Sequence, residues 1–481
     1  FEVSLLVVMI SYYLFGQRSS WKARLSSTML RHSSEVPGPL ALPVFGSCWV
    51  YTAVGGYSFT RVHEFYRDMF LQHGPIVKEE ALWNVPVISV VERSDIEKVF
   101  RSSGRYPIRP PTEAIAHYRR SRPDRYASTG MVNEQGASWY HLRSNLTSHL
   151  TSTKTIASFL PQVEEICGDW CSLLDQLKDP KDLISNVEVL ASRLGLEAIC
   201  SLVLGRRMGF LYEEADSKLT YRLAHAVSNH FGACRDTYYG LPLWKLFPTP
   251  AYKKLVESEE EIYNLVLEII ESADEASMES AVFQSVLKAD VDSREKTAAI
   301  VDFIAAGIYT MRNSMVFLLN TVANDPKIQE AILQDPTGAY AKACVNETFR
   351  LLPTANCLAR VIENDLELSN YRIPKHSVVL CHTGLACRDD RNFPQAEKFI
   401  PERWLDDAKQ ETTSVGTYLV VPFGIGRRTC PGKRFIEQIL PIALQHTVRN
   451  FKMANVNPLE VQFEFLLAPK GPINMVFEKR F

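Results

Sequence analysis

The sequence predicts a mainly α-helical protein with a small β region, built as a single large domain. Three observations predict this. Long stretches repeat apolar residues at helical spacing, strand-like stretches are few and short, and no linker, charge block or internal repeat divides the chain after residue 35. With 481 residues, 46% of them apolar, the chain is long enough to form a large core.

Helical spacing is present in six stretches, and strand character in four. The helical stretches are residues 156–177, 182–204, 252–273, 295–322, 340–351 and 433–448. The strand-like stretches are residues 76–78, 85–91, 366–368 and 378–380. Residues 101–125 carry seven arginines among four prolines, a composition typical of a solvated loop, with a pocket lining as the alternative.

The first 35 residues form a separate segment, which we interpret as a membrane anchor or a mitochondrial targeting sequence. Residues 3–17 are uncharged and strongly apolar, and residues 18–34 contain basic residues and many serines but no acid. An acid-poor leader rich in serine and arginine is typical of mitochondrial presequences, whereas an apolar run followed by positive charge is typical of an anchor. Three prolines in residues 36–43 then form a stiff hinge, and we expect the domain at 36–481.

Charge and cysteine usage exclude several function classes. The chain has 53 Lys+Arg against 55 Asp+Glu, so it lacks the basic excess with which nucleic-acid binders neutralise phosphates, and we expect no nucleic-acid partner. Its ten cysteines include no C-x-x-C pair, which removes the usual support for zinc ribbons and thioredoxin-type sites. We infer a reducing compartment.

One cysteine, Cys430, lies in a stretch that is typical of a metal-ligand loop. Gly424 and Gly426 allow backbone conformations closed to other residues, so neighbouring amide N–H groups can converge on the Cys430 sulfur and stabilise a thiolate. The helix predicted from residue 433 adds the positive end of its dipole. An axial thiolate donates electron density to a haem iron and favours O–O cleavage. A small buried thiol is the alternative.

Residues 423–432 match the haem-binding signature F-x-x-G-x-R-x-C-x-G, and the chain resembles the cytochrome P450 superfamily. The resemblance implies the cytochrome P450 fold and haem b, iron protoporphyrin IX, with Cys430 as the iron ligand. It also implies that Phe423, Gly424 and Gly432 contact the cofactor, since a glycine lets a flat macrocycle approach closely.

Further motifs follow in the order usual for this family. Glu347 and Arg350 resemble its E-x-x-R helix motif, and Arg403, in a P-E-R segment, can complete a buried carboxylate–guanidinium network. The propionate-binding residues implied by the resemblance are Trp139 and Arg143 of a W-x-x-x-R helix, together with Arg360 and Arg428.

Residues 302–311 resemble the family's central helix with its A-G-x-[DE]-T motif. The resemblance makes Gly307 and Thr310 catalytic: the glycine leaves room for dioxygen and permits a local break in the helix, and the threonine hydroxyl relays protons. Plain helix packing is the alternative. Tyr309 replaces the usual acid, so Tyr309 or water would have to deliver protons. Only 40 residues separate Gly307 from Glu347, fewer than the family normally uses, because surface helices are trimmed or a segment has been lost.

Four stretches are similar to the mitochondrial clan of arthropods, and most of all to its ecdysone 20-hydroxylases. They are residues 105–111, 117–126, 132–136 and 301–307. We therefore expect a monooxygenase that inserts one oxygen atom of O2 into a C–H bond of a steroid, with ecdysone 20-hydroxylation as the leading hypothesis. The alternatives are a related enzyme acting on another sterol or a xenobiotic, and a haem- or steroid-binding pseudoenzyme.

The resemblance also implies a location and electron donors. We expect association with the matrix side of the mitochondrial inner membrane, with electrons from an adrenodoxin-like ferredoxin and its NADPH-dependent reductase. The alternative is the endoplasmic reticulum membrane, with cytochrome P450 reductase as donor. The candidate basic docking patch consists of Lys342, Arg427, Lys433 and Arg434, with Asn346 where a second lysine is expected. A solvated basic rim is the alternative.

Overall fold

The computed structural model describes residues 30–212, 217–271, 280–405, 412 and 414–480. Most of the predicted anchor or targeting segment, residues 1–29, lies outside the described residues. The α-helices are α1 (Val62–His73), α2 (Arg93–Arg101), α3 (Glu113–Ser121), α4 (Gly136–Leu146), α5 (Thr153–Ser158), α6 (Leu160–Leu177), α7 (Val187–Leu204), α8 (Ser217–Tyr239), α9 (Pro250–Glu271), α10 (Ala281–Leu287), α11 (Ser293–Ala323), α12 (Pro326–Gln334), α13 (Ala339–Leu351), α14 (Thr383–Ala386) and α15 (Lys433–Asn450). Among these described helices, none is long and apolar enough to cross a bilayer.

The strands are short and belong to several small sheets. They are β1 (Arg31–His32), β2 (Ile76–Glu80), β3 (Pro86–Val90), β4 (Leu183–Ile184), β5 (Leu358–Val361), β6 (Leu366–Leu368), β7 (Tyr371–Ile373), β8 (Val378–Cys381), β9 (Phe451–Asn455), β10 (Val461–Phe463), β11 (Leu467–Pro469) and β12 (Met475–Lys479). The strand orders are β2-β3-β8-β5, β1-β7-β6, β4-β12-β9 and β10-β11. Strand β1 pairs in parallel with β7, so the end of the predicted leader is attached to the body of the protein.

All six predicted helices are present with some ends shifted, although the stretch predicted at 156–177 is divided at Phe159 between α5 and α6. The helix predicted at 182–204 begins only at Val187, because Leu183 and Ile184 pair with β12 instead. The 23-residue helix α8 has no predicted counterpart, since polar and aromatic residues interrupt its apolar stripe. The expectation of a solvated loop at 101–125 is wrong for α3, whose Arg119 is buried in the interior.

The central helix of the fold is α11, and most of its residues are buried. One of its faces lies beside the functional site. Its start is fixed by Asp292, whose side chain accepts a hydrogen bond from the amide of Arg294. Along its length α11 packs closely against α7. A Cβ atom at Gly307 would come within 2.8 Å of Ile199 Cγ1 of that helix, so only glycine permits this packing.

Candidate active site

A single cavity of about 1070 Å³ lies between α11, the four-stranded sheet and the loop that carries Cys430. The residues of α11 that line it are Asp302, Phe303, Ala306, Gly307, Thr310, Met311 and Ser314, which share one helix face. The loop contributes Phe423, Gly424 and Cys430. The structure therefore brings the predicted ligand loop and the predicted catalytic helix to the same cavity.

The Cys430 loop is held by its own backbone and by one aromatic contact. Gly424 and Gly426 have φ values of +74° and +69°, in the left-handed region that glycine favours, as the sequence predicts. The Cys430 amide donates to the carbonyl of Phe423 at 2.8 Å, which closes the loop. The Phe423 ring contacts Phe349 of α13 edge to face, with centroids 5.2 Å apart. These contacts fix the position of the sulfur.

The Cys430 side chain is exposed to the cavity although it lies deep inside the protein. Burial raises the pKa of its thiol, whereas hydrogen bonds from the amides of Gly432 and Lys433, and the nearby Arg143, act in the opposite direction. The predicted convergence of amides on the sulfur is present. The donors are Gly432 and Lys433, which follow the cysteine and form the start of α15. The positive end of the helix dipole, which the sequence predicts, therefore lies beside the sulfur.

Four arginines crowd the same part of the cavity, namely Arg109, Arg143, Arg360 and Arg428. Burial and the mutual repulsion of these guanidiniums lower the pKa of Arg428 to about 9 and that of Arg109 to about 10. The Arg428 guanidinium lies over the ring of Trp139, 3.9 Å from its centroid. Thus the four residues predicted to bind the propionates, namely Trp139, Arg143, Arg360 and Arg428, lie together beside Cys430.

These arginines have no anionic partner in the described part of the chain. They donate only to neutral acceptors: Arg143 Nη2 contacts the Thr429 carbonyl at 2.6 Å, and Arg109 Nη2 contacts the Arg428 carbonyl at 2.6 Å. The Nε atom of Arg360 is buried without any partner. Buried guanidiniums without counter-charges favour the binding of an anionic ligand. The site therefore fits a flat cofactor with two carboxylates, as the haem implied by the sequence motif has.

The sequence alone did not assign Arg109 to the cofactor site. It lies in the arginine- and proline-rich segment, and Pro107, Pro110 and Pro111 stiffen the chain on both sides of it. The Arg428 Nε atom donates to the Pro107 carbonyl at 2.9 Å, which joins this segment to the Cys430 loop. The proline spacing was the available signal, but it does not show which arginine points inward.

On α11, Thr310 and Tyr309 have different surroundings. The Thr310 hydroxyl donates to the Ala306 carbonyl at 2.8 Å and faces the cavity. The Tyr309 hydroxyl donates to Glu464 at 2.6 Å, and its ring stacks on Phe231 with centroids 4.2 Å apart. The helix remains α-helical throughout, without the local break that the glycine would permit.

A network centred on the fully buried Glu347 and Arg350 holds α13 against the segment that carries Arg403. Glu347 accepts from Arg350 at 2.8 and 2.9 Å and from Arg403 at 3.3 Å. The Trp404 indole donates to the same carboxylate at 2.9 Å. The structure thus brings together the three residues of the predicted carboxylate–guanidinium network, and the burial of Glu347 and Arg350 gives it the character of a structural core rather than a surface ion pair.

The predicted basic patch lies on the outside of the protein. Lys342, Arg427 and Arg434 are exposed, and Lys433 is close to Glu437, with 3.7 Å between Nζ and Oε1.

The short interval between Gly307 and Glu347 contains the end of α11 and one nine-residue helix, α12, before α13 begins.

Comparison with known proteins adds independent evidence. The family model for Cytochrome P450 matches residues 36–476. The chain is 44% identical to "Ecdysone 20-monooxygenase" of Drosophila melanogaster, over 93% of this chain and 88% of that protein. It is 27% identical to "Cytochrome P450 302a1, mitochondrial" of Drosophila melanogaster, over 89% of this chain and 90% of that protein. It is 26% identical to "Probable cytochrome P450 12c1, mitochondrial" of the same organism, over 97% of this chain and 94% of that protein.

Proposed function

The chain belongs to the cytochrome P450 family and is a monooxygenase, and from this premise we propose that it hydroxylates ecdysone at position 20. One observation carries the proposal: a single cavity is lined by Cys430 and by Thr310 of α11. The 44% identity with an ecdysone 20-monooxygenase over most of both chains supports the choice of substrate.

Family membership implies a haem-thiolate iron cofactor, and we assign it as haem b with Cys430 as the iron ligand. The four cavity arginines and Trp139 would hold its propionates, while Phe423, Gly424 and Gly432 would contact the macrocycle. When bound, the cofactor supplies the chemistry by which O2 is split, one atom entering the substrate and the other leaving as water.

The protein's own residues orient the substrate and manage protons. The Thr310 hydroxyl donates its hydrogen bond to the Ala306 carbonyl, so its oxygen remains free to accept a hydrogen bond from water in the cavity. Tyr309 is committed to Glu464 and does not line the cavity. Of the two proton donors that the sequence left open, we therefore favour water held by Thr310 over Tyr309.

We further propose a mitochondrial location on the matrix side of the inner membrane, with an adrenodoxin-like ferredoxin and its reductase as electron donors. The names of two relatives carry the word mitochondrial, and the exposed Lys342, Arg427 and Arg434 offer the positive surface that an acidic donor requires. In this proposal residues 1–35 direct or anchor the protein and residues 36–481 form the catalytic domain.

The ligand assignment is tested by the spectrum of the reduced, CO-bound protein. We expect the red-shifted Soret band of thiolate ligation, and its loss in Cys430→Ala. Cys171→Ala is the matched control, because burial raises the pKa of that thiol to about 12 and keeps it protonated. A thiolate spectrum that survives in Cys430→Ala would contradict the assignment.

The substrate and the electron donor are tested by reconstitution. Ecdysone, O2, a ferredoxin and its reductase should give a 20-hydroxylated product, and the same mixture with cytochrome P450 reductase should give much less. Turnover of another sterol or of a xenobiotic in place of ecdysone would overturn the substrate assignment. Normal haem uptake with no turnover under either donor system would instead identify a binding pseudoenzyme.

A further inference from the structure

One carboxyl group in the cavity has no role in the site described above. Glu79 of β2 lies deep in the interior, and its partial exposure is to the cavity that it lines. The Tyr66 hydroxyl donates to its Oε1 atom at 2.5 Å, and no hydrogen bond from a described residue reaches the second oxygen. Glu79 also makes no ion pair within the described ranges. A buried acid with one free oxygen that faces a cavity is placed to bind a ligand.

The groups around Glu79 are polar but uncharged. They are Tyr51, Tyr66, Tyr238, Tyr239, Cys48 and Cys357, whose pKa values are raised by burial and by the Glu79 carboxylate. The Tyr51 hydroxyl is buried without a hydrogen-bond partner. Burial raises the pKa of Glu79 itself to about 7, so this carboxyl group can donate as well as accept a hydrogen bond near neutral pH. Such surroundings suit an alcohol.

The register of the four-stranded sheet shows where this group lies relative to the cofactor site. Glu79 pairs with Val87, Val87 with Val378, and Val378 with Val361, and all four line the cavity. Val361 is next to Arg360, on the strand β5 that reaches the arginine cluster. Three strand spacings separate β2 from β5, or about 14 Å. The carboxyl group therefore lies at the part of the cavity wall remote from the cofactor.

We propose that Glu79, oriented by Tyr66, binds one hydroxyl group of the steroid and thereby sets which carbon of the substrate lies at the oxidation site. This inference rests on the proposed function, because ecdysone is a polyhydroxylated steroid. A hydrogen bond at the remote part of an otherwise largely apolar cavity fixes the position of a rigid ring system along its length. Glu79 is thus a specificity-determining residue.

The test compares wild-type holoenzyme with Glu79→Leu and Glu79→Gln. The dissociation constant of ecdysone is measured by spectral titration, and the products are identified. We expect Glu79→Leu to weaken binding about tenfold or more and to spread oxidation over other carbons, because leucine cannot bind a hydroxyl group. Glu79→Gln should largely rescue both, since an amide also donates and accepts. Glu367→Gln, an exposed carboxyl outside the cavity, is the control.

A panel of ecdysone analogues, each lacking one hydroxyl group, separates recognition from general damage. For the analogue that lacks the contacted hydroxyl, wild type and Glu79→Leu should bind equally, whereas the other analogues should lose affinity in the variant. An equal loss for every analogue, or no loss for ecdysone, would overturn the inference. If Glu79→Leu fails to give the thiolate spectrum, the same comparison is made with Tyr66→Phe, which removes the hydroxyl that orients Glu79 and should lose affinity in the same pattern. Failure of wild type to hydroxylate ecdysone would instead refute the proposed function.

Discussion

Replacement of Glu79 by glutamine should change the stability of the protein in a pH-dependent way. Burial raises the pKa of this carboxyl group from 4.5 to about 7 in the folded protein. The folded state therefore holds the proton more tightly than the unfolded state, and wild type loses stability as pH rises through the window between these values. The surrounding groups, Tyr51, Tyr66, Tyr238, Tyr239, Cys48 and Cys357, have raised pKa values and stay neutral in this window.

The magnitude follows from the size of the shift. At 1.36 kcal/mol for each pKa unit, wild type loses up to about 3 kcal/mol between about pH 4.5 and pH 8. Water in the cavity solvates the carboxylate and reduces this figure, so it is an upper value. Glutamine keeps the acceptor for Tyr66 but does not titrate. The variant should therefore match wild type near pH 4 and exceed it near pH 8.

The assay is thermal unfolding of both holoproteins across this pH range. Glu259→Gln is a control of opposite sign. Burial alone would raise the pKa of Glu259, but Arg119 and His230 lower it to about 2, so this substitution should destabilise the protein at neutral pH and progressively less as the pH falls below about 4.5. Melting temperatures of wild type and Glu79→Gln that run parallel at every pH would refute the reasoning.

Four further substitutions test other parts of the structure. Arg109→Leu should speed the loss of haem to an acceptor protein about tenfold, whereas equal rates would remove Arg109 from the cofactor site. Glu347→Leu should cost about 3–5 kcal/mol in chemical denaturation, because Arg350 and Arg403 lose their buried acceptor; a surface-like loss below about 1 kcal/mol would contradict this. Thr310→Ala should lower the amount of hydroxylated product formed per O2 consumed by about tenfold or more. Tyr309→Phe should leave this ratio unchanged and lower the free energy of unfolding by only about 1 kcal/mol. The opposite ranking would make Tyr309 the proton donor.

Local sequence predicted the parts of the site whose chemistry resides in one short segment. The Cys430 loop needs two glycines in left-handed conformations and a following helix, and all of these are adjacent in the chain. The long apolar helices were also predicted, because their spacing reflects one buried face. What these elements share is that the signal and the structure cover the same residues.

The remaining features depend on tertiary contacts that no local pattern encodes. Arg109 and Arg119 belong to an arginine-rich segment whose composition is typical of a solvent-exposed loop. Arg119 is nevertheless buried, because Asp302 of α11 accepts two hydrogen bonds from it, at 2.6 and 3.0 Å. Glu79 follows Lys78 and precedes Glu80, so the end of its strand has the composition of a surface edge. Only the packing of α1 and the tyrosines around it places that carboxyl group inside.

The unneutralised arginine cluster has a consequence for how the protein is made in the cell. While the cluster has no anionic partner, burial and the mutual repulsion of its guanidiniums disfavour their charged forms, so this part of the folded protein is under electrostatic strain. A ligand that binds only the folded state stabilises it in proportion to the logarithm of its concentration. The supply of the haem cofactor should therefore influence how much of the folded protein survives proteolysis, because the cofactor-free form is the less stable one.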